Sequence, residues 1–387
     1  MTTDIVYMDN NATTRVAGEV IEEMTPYLGR LYGNPSSMHS FGGQVGKKIG
    51  RARERIASLL GCRPEEIIFT SCGTESDNAA IKGTLEMAGG KRTVVTTRVE
   101  HPAVLSTCRE MEHHGYNIVE ISVDKNGRLN LDELESSLNE DTAIASIMYA
   151  NNETGTVFPI ERIVSMVKSK GIVFHTDAVQ AVGKIPINLA ELPIDLLSLS
   201  GHKLHAPKGV GVLYVRKGTR LAPFMVGGHQ ESGRRAGTEN VPGIIALGKA
   251  CQLAGENIDD ENTRIRKLRD RLEKGILATC PDSMVNGDTQ NRLPNTTNIS
   301  FEYIEGEAIL LMLNRFGICA SSGSACTSGS LEPSHVLRAM GVPFTAAHGS
   351  IRFSLSRYNT QNEVDFVIEK MAPIVNRLRE LSPFVTT

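Results

Sequence analysis

The chain has 387 residues, of which 40% are hydrophobic and 22% are charged, and its formal net charge is -3. This composition is ordinary for a soluble globular protein and excludes a disordered or fibrous chain. The small net charge leaves no electrostatic footprint for nucleic acid or an anionic membrane surface. The length exceeds what one hydrophobic core usually holds, so we expect two domains.

The seven cysteines are odd in number and lack the close paired spacing of a zinc site. We therefore expect neither a disulfide framework nor an intrinsic metal site. No leader with a charged and then an apolar part opens the sequence, and no apolar run approaches the roughly 20 residues that span a bilayer. These features predict a cytoplasmic protein that does not insert into a membrane.

The sequence is predicted to divide into an arm and two domains. Residues 1–15 are too short to fold alone and are expected to form an arm that packs near the domain junction, associated with the small domain. Residues 16–255 alternate helical patterns, such as 43–60, with short β-branched runs. The five runs lie at 67–70, 93–97, 143–150, 172–176 and 195–200. This alternation predicts an α/β large domain with a mainly parallel sheet flanked by helices.

Residues 256–387 have a different pattern and are expected to form a smaller α+β domain. Its predicted elements are a helix at 259–279, a strand at 297–301, a helix at 306–316, a strand at 350–356 and a helix from 361. The last helix has apolar residues on one face, as expected for a helix that packs on a core.

Ligands of parallel sheets bind beyond the carboxyl ends of the strands, so the residues after each run are candidate site residues. Gly73 and Thr74 follow the first run and open a helix, where free N–H groups can hold an anion. His101 precedes Pro102, which can open another helix. Taken singly, the first feature is more typical of an ordinary helix N-cap, and a lone histidine at such a turn is usually structural.

The next two runs end in ionisable residues. Asp177 ends one strand and is followed by Gln180, and the next strand ends at Ser200, followed by His202 and Lys203. A salt bridge between Asp177 and Lys203 is the structural alternative. Together, however, these residues meet the needs of pyridoxal 5'-phosphate. An anion cradle would bind its phosphate, a carboxylate its ring nitrogen and a lysine its aldehyde, with an imidazole beside the ring.

A cysteine lies in the segment "SSGSACTSGS", residues 321–330. The segment has almost no apolar area to bury, which predicts a mobile surface loop. The thiol of Cys326 therefore either lies there by chance, without a function, or is a reactive group that must move.

Several motifs are similar to those of a known family. They are "DNNATT", "GNPSS", "TSCGTESDN", "VEHPAVL", "NNETGT", "FHTDAVQAVGK", "SGHKLHAPKGVG", "GRRAGTEN", "SSGSACTSGSLEPSHVLRAMG" and "IRFSLSR". The chain resembles, essentially end to end, the cysteine desulfurases of the NifS type. These are fold-type I pyridoxal phosphate enzymes of the class V aminotransferase family.

The resemblance implies roles for single residues. Lys203 would hold the cofactor covalently and later shuttle a proton at the substrate α-carbon. Asp177 would pair with the pyridine nitrogen, and His101 would stack on the ring and serve in acid–base steps. Gln180 and Asn152 would be partners of the phenolic oxygen, with Asn152 also near the substrate.

The remaining implied contacts concern the phosphate and the substrate. Thr238 would reach the phosphate from the neighbouring subunit of a homodimer, and Arg352 would bind the substrate carboxylate. Without the resemblance, a surface arginine at a strand end is the simpler interpretation of Arg352. The phosphate ligands from the same chain would be Gly73, Thr74, Ser200 and His202.

The implied reaction converts L-cysteine to L-alanine and leaves the sulfur on Cys326 as a persulfide, with His101 as the candidate base. The sulfur would supply iron–sulfur cluster assembly, and the NifS likeness suggests nitrogenase clusters, with a scaffold protein as acceptor. Cys326 could also ligate, transiently, a cluster shared with that scaffold. The alternatives are an aminotransferase or selenocysteine lyase on this fold, or a non-enzymatic thiol sensor or iron-binding scaffold suggested by Cys319, Cys326 and the histidines.

Overall fold

The computed structural model describes residues 5–322 and 333–382. Its strands are β1 (Val6–Tyr7), β2 (Ile67–Thr70), β3 (Thr93–Thr97), β4 (Asn117–Ile121), β5 (Thr142–Ser146), β6 (Val173–Asp177), β7 (Leu196–Ser200), β8 (Gly211–Val215), β9 (Ser283–Asn286), β10 (Thr296–Phe301), β11 (Ile318–Cys319) and β12 (Ser350–Ser354). Its helices are α1 (Gly18–Met24), α2 (Pro26–Gly29), α3 (Ser40–Leu60), α4 (Gly73–Glu86), α5 (Pro102–His113), α6 (Leu131–Ser137), α7 (Ile160–Ser169), α8 (Val241–Glu256), α9 (Ile258–Asp260), α10 (Arg266–Thr279), α11 (Gly306–Asn314), α12 (His335–Ala339), α13 (Phe344–His348) and α14 (Gln361–Leu381).

The large sheet has seven strands in the order β2-β8-β7-β6-β5-β3-β4. Strand β8 runs antiparallel to both β2 and β7, and the other pairs are parallel. Six strands therefore point the same way, and their carboxyl ends share one edge of the sheet. Helices cover both faces, as the nearly continuous burial of the inner strands requires.

The β-branched and apolar runs of the sequence form strands of this sheet as predicted. The run at 143–150 differs, because regular strand β5 ends at Ser146. The buried chain beyond it still donates to the neighbouring strand, from Ile147 N–H to the His175 carbonyl and from Tyr149 N–H to the Asp177 carbonyl. The run therefore continues as irregular backbone that leads into the site.

Two smaller sheets lie in the C-terminal part of the chain. Strands β12, β10 and β9 form an antiparallel sheet, and β1 pairs in parallel with β11. The predicted helix at 259–279 is observed as α9 and α10 joined by a π-helical turn at Glu261–Ile265. A second core, separate from that of the large sheet, packs between α10, α11, α14 and these strands.

The N-terminal segment crosses to both parts of the molecule. Besides the β1–β11 pairing, Asp9 bridges to Ser354 and the Thr14 N–H donates to the His202 carbonyl. The boundaries at 15/16 and 255/256 stay predictions. Within the described part of the chain, every helix is too short or too polar to span a bilayer.

Candidate active site

A cavity of about 310 Å³ lies at the carboxyl edge of the six parallel strands. Except for Thr238 and Cys326, every predicted site residue lines it. They are Gly73, Thr74, His101, Asn152, Asp177, Gln180, Ser200, His202, Lys203 and Arg352. Thr238 is exposed on a segment that does not line the cavity of its own chain, and Cys326 lies outside the described residues.

One wall of the cavity is suited to an anion. Helix α4 begins at Gly73, and its N-cap Cys72 makes no side-chain capping bond. The first N–H groups of a helix lack intrahelical partners and carry the positive end of its dipole. The buried Oγ of Ser200 has no hydrogen-bond partner among the described residues. These donors match the needs of a phosphate group.

His101 is held as the N-cap of α5, where its Nδ1 accepts from the Ala103 N–H at 3.1 Å. An imidazole that accepts at Nδ1 carries its proton on Nε2 when it is neutral. Burial lowers the pKa of His101, and Lys203 lowers it further, while Asp177 opposes both. The resting ring is therefore a neutral proton donor at Nε2. It can serve as the base suggested for Cys326 only after giving up that proton.

Asp177, at the end of β6, is buried, and its Oδ1 accepts from the Val179 N–H at 2.9 Å. Burial raises the pKa of Asp177, while His101, the Val179 N–H and Lys203 lower it. A buried carboxylate is stabilised by a cationic partner. A protonated ring nitrogen in the cavity fits that requirement.

A second buried carboxyl group, Asp77 of α4, lines the same cavity and was missed by the sequence analysis. Burial raises the pKa of Asp77 well above its ordinary value, and repulsion from Asp177 raises it further. Its neighbour His175 cannot compensate it, because burial lowers the pKa of His175 to about 3. The neighbours of Asp177, which are His101, the Val179 N–H and Lys203, favour a negative charge there over one on Asp77.

Lys203 lies in the 3₁₀ turn Gly201–Lys203, directly after β7. Its Nζ donates to the Ala12 carbonyl at 2.7 Å and to the Asn11 carbonyl. Asn11 and Ala12 line the cavity, so the N-terminal segment forms part of the site. The motif "DNNATT" marks this segment in the sequence, but the sequence does not show which residues the segment contacts.

Arg352 of β12 is only 2% exposed, and two contacts fix its guanidinium. Nη1 donates to the Asn152 carbonyl at 3.0 Å, and Nη2 donates to Asp9 Oδ1 at 2.8 Å. Its buried Nε has no hydrogen-bond partner among the described residues. A fixed fork with an unused buried donor is suited to a carboxylate ligand.

The chain on both sides of the segment 323–332 lies beside this cavity. Ser321 forms a bridge with Arg352, and the two residues exchange backbone hydrogen bonds. On the far side, the His335 Nε2 contacts the Glu100 carbonyl at 2.9 Å, one residue before His101. Cys326 is therefore carried by a segment whose flanks lie at the site.

Comparison with known proteins identifies the family. The family model described as aminotransferase class-V matches residues 6–367. The chain belongs to this family. Class-V aminotransferases are pyridoxal phosphate enzymes, and the donor set described above, with its cradle and buried carboxylate, fits that cofactor.

Among the curated relatives of this chain, a cysteine desulfurase of Trichormus azollae is 63% identical over 380 residues, covering 98% of this chain and 95% of the relative. Cysteine desulfurase NifS of Azotobacter vinelandii is 59% identical over 380 residues, covering 98% of this chain and 94% of the relative. Within its family, the chain is thus a cysteine desulfurase of the NifS type. The predicted family, enzyme class and fold class are confirmed.

Solved structures agree with this placement. A NifS-like protein superposes with a TM-score of 0.91 at 42% identity, covering 97% of this chain and 100% of that chain. SspA in complex with cysteine superposes with a TM-score of 0.81 at 35% identity, covering 92% of this chain and 99% of that chain.

Proposed function

We propose that this chain converts L-cysteine to L-alanine and passes the sulfur to Cys326 as a persulfide. The observation that carries the proposal is the convergence on one cavity of Lys203, Asp177 and Arg352. A lysine for a carbonyl cofactor, a carboxylate for its ring nitrogen and a fork for an amino-acid carboxylate together describe an amino-acid-processing site. The names of the relatives support a desulfurase over the aminotransferase, selenocysteine lyase and thiol-sensor alternatives.

When bound, pyridoxal phosphate supplies an electron sink for the substrate α-carbon. The chain's own residues would hold it by its phosphate, its ring nitrogen and its phenolic oxygen. Asp177 would take the ring nitrogen, and Gln180 and Asn152 the phenolic oxygen. His101 would stack on the ring. The phosphate would be bound by Gly73, Thr74, Ser200 and His202, with Thr238 reaching it from the partner subunit.

The other polar groups would act on the substrate. Arg352 would bind its carboxylate and so orient the α-carbon towards Lys203, whose Nζ would remove and return the α-proton. His101, as a neutral donor at Nε2, would deliver a proton before it accepts one. This order follows from the hydrogen bond between the Ala103 N–H and Nδ1 of His101.

The sulfur step would be carried by Cys326. Its thiolate would form a bond to the substrate sulfur while the substrate C–S bond breaks, and that electron pair would stay on the carbon that is protonated to the alanine methyl group. Most of the described thiols are poor candidates, because burial raises the pKa of Cys62, Cys108 and Cys251 to about 12 and also raises that of Cys280 and Cys319. A thiolate is required for such an attack.

The covalent chain favours Cys326 geometrically. Cys326 follows Ser321 by five positions, and an extended chain covers at most about 3.6 Å per residue, so its Cα stays within roughly 18 Å of that of Ser321. Ser321 pairs with Arg352 at the wall of the cavity. This length of chain keeps Cys326 within reach of the cavity and also allows its thiol to leave it.

The proposal extends to the oligomeric state of the protein and to the acceptor of the sulfur. A homodimer would place Thr238, which is exposed and does not line the cavity of its own chain, at the partner's phosphate. The sulfur would pass in the cytoplasm to an iron–sulfur scaffold protein, for nitrogenase clusters in keeping with the NifS-type relatives.

The proposal is tested by a single turnover of purified protein loaded with pyridoxal phosphate and supplied with sulfur-labelled L-cysteine. We expect a visible absorbance band, one alanine per site and an equal amount of label bound to protein. Label should then move to an added cluster scaffold. Alanine without protein-bound label would contradict transfer to a thiol, and the absence of the band would contradict the cofactor.

Arg352→Ala is expected to raise the Michaelis constant for cysteine by about 30- to 1000-fold, which corresponds to about 2–4 kcal/mol for removing one partner of a buried charged pair. The turnover number should change much less, because Arg352 would bind the carboxylate and not the reacting atoms. Steady-state kinetics would separate the two constants. Arg377→Ala, on an exposed face of α14, is the matched control. An unchanged Michaelis constant for Arg352→Ala would reject the carboxylate role.

Gly73→Ala is expected to weaken cofactor binding by about 10- to 100-fold, in line with the 1–3 kcal/mol that overpacking costs. A Cβ at Gly73 would lie 2.8 Å from Cγ2 of Val179, and 3.5 Å from Cβ of Ser200 in the cradle. Titration of the apoprotein with pyridoxal phosphate measures the dissociation constant. Gly50→Ala in α3, where a Cβ meets nothing within 4 Å, is the control. Equal affinities of the two variants would show that Gly73 does not shape the cradle.

A further inference from the structure

Behind the wall of the cavity lies a buried lysine that the mechanism above does not use. Lys184 is 7% exposed and follows Gln180 by one turn of the chain after β6. Its Nζ donates to Gln180 Oε1 at 2.8 Å and to Asn11 Oδ1 at 3.2 Å. It therefore touches two amides of the site without lining the cavity itself.

The amino group of a lysine constrains the orientation of the amide groups that it contacts. An ammonium group has donors and no acceptor, and even a neutral amine keeps two N–H donors for these two contacts. Each amide must therefore present its oxygen to Lys184 and its nitrogen elsewhere. The same orientation has a second support in each amide, because the Asn11 carbonyl accepts from Gln180 Nε2 at 3.1 Å and Asn295 Nδ2 donates to Asn11 Oδ1 at 3.1 Å.

The nitrogen atoms of the two amides are directed at the site. Gln180 Nε2 donates to the Asn11 carbonyl at 3.1 Å, and its second hydrogen remains available to a ligand in the cavity that Gln180 lines. Asn11 Nδ2 donates to Thr296 Oγ1 at 2.8 Å and to the Asn152 carbonyl at 3.2 Å. That same carbonyl accepts from Arg352, so Asn11 and Arg352 share one acceptor at the site.

This arrangement is costly to the fold. Burial lowers the pKa of Lys184 to about 7, with Lys203 lowering it further, Glu261 opposing and Arg352 lowering it again. Burial likewise raises the pKa of Glu261 to about 7, chiefly against the attraction of Lys184. Apolar residues of the same volume are often as stabilising as a buried ion pair. Stability alone is therefore a poor reason for a lysine at this position.

We propose that Lys184 is a positioning residue that holds the Gln180 amide with its N–H directed at the phenolic oxygen of the cofactor. The proposal rests on the role of Gln180 in the proposed function. The alternative is that Lys184 is a structural residue attracted to Glu261. In that case Lys184 would affect folding and the local charge but not the orientation of the amide.

The test uses the pH dependence of the visible absorbance band in the holoenzyme. In Lys184→Met, a variant of similar length without donors, Gln180 Oε1 loses its partner and only the Asn11 carbonyl still orients the amide. The phenolic oxygen then has a donor that is held less firmly. That oxygen then holds negative charge less well, so the chromophore keeps its proton to higher pH. We expect the midpoint of the band to move up by about 0.5 to 1 pH unit, a three- to tenfold change in proton affinity.

Removing a nearby positive charge would move the midpoint in the same direction, so the measurement is repeated in a Gln180→Met background. There the amide is absent, and Lys184→Met should shift the midpoint only slightly further. A charge effect alone would give equal shifts in both backgrounds, which would overturn the proposal. Lys184→Arg, which keeps a donor-only head, should retain the wild-type midpoint, and exposed Lys217→Met is the control.

Thermal unfolding of the apoproteins checks that each variant folds. Should Lys184→Met fail to fold, Lys184→Leu replaces it, because its side chain likewise has no donor and the same upward shift is expected. A wild-type protein that takes up no cofactor would refute the proposed function. A wild-type protein with a normal band, together with an unshifted Lys184 variant, would refute only the role of Lys184.

Discussion

Lys203→Ala should abolish the visible absorbance band of bound pyridoxal phosphate and lower alanine formation from cysteine by at least about 10³-fold. The variant removes both the amine that would hold the cofactor and the group that would move the α-proton, and general acid–base catalysis alone contributes about 10²- to 10⁴-fold. The absorbance spectrum and an alanine assay after reconstitution measure the two effects separately.

Folding must be excluded as the cause, because Lys203 also donates to the carbonyls of Asn11 and Ala12. Losing such hydrogen bonds costs about 0.5–1.5 kcal/mol each, so the melting temperature of the apoprotein should fall only modestly. Lys208→Ala removes an exposed lysine five positions further on and should keep band and activity. A folded Lys203→Ala protein with the wild-type band would reject the assignment.

Cys326→Ala is expected to reduce cysteine-dependent sulfur transfer by at least about 10³-fold while leaving the affinity for the cofactor intact. An alanine has no nucleophile for the substrate sulfur, and a persulfide can form only on a thiolate. The labelled single-turnover assay should show no protein-bound sulfur, whereas addition of cysteine should still perturb the absorbance band.

Cys319→Ala is the matched control, because Cys319 lies on the same part of the chain and burial raises the pKa of its thiol. It should transfer sulfur at the wild-type rate. Cys72 is the informative competitor, since it is the described cysteine that lines the cavity. Wild-type transfer by Cys326→Ala combined with loss of transfer in Cys72→Ala would move the persulfide to Cys72.

Local sequence patterns were sufficient for the elements that build the site. The β-branched runs at 67–70 and 93–97 form β2 and β3 over the same residues, and Pro102 opens α5 with His101 as its cap. Such features depend on neighbours a few positions away, which a single sequence displays. The parallel order of the strands then brings their carboxyl ends, and the residues after them, to one edge.

Strand β4 and the antiparallel insertion of β8 between β2 and β7 were not predicted. β4 (Asn117–Ile121) is a partly exposed edge strand, and its half-buried pattern is a weak sequence signal. The place of β8 depends on which strands it pairs with, and hydrogen-bond partners across a sheet leave no periodicity in the sequence.

The motifs alone were enough to assign the family and to propose site residues, most of which line one cavity, because the chemistry of a cofactor restricts residue types and their local spacing. Tertiary structure decided the charges and orientations of those residues. Burial and the Ala103 N–H make His101 a proton donor, and the repulsion between Asp77 and Asp177 places the negative charge on one of them. Lys203, Arg352 and Lys184 each have a partner in the N-terminal segment, more than 170 positions away, and only the folded chain brings them together.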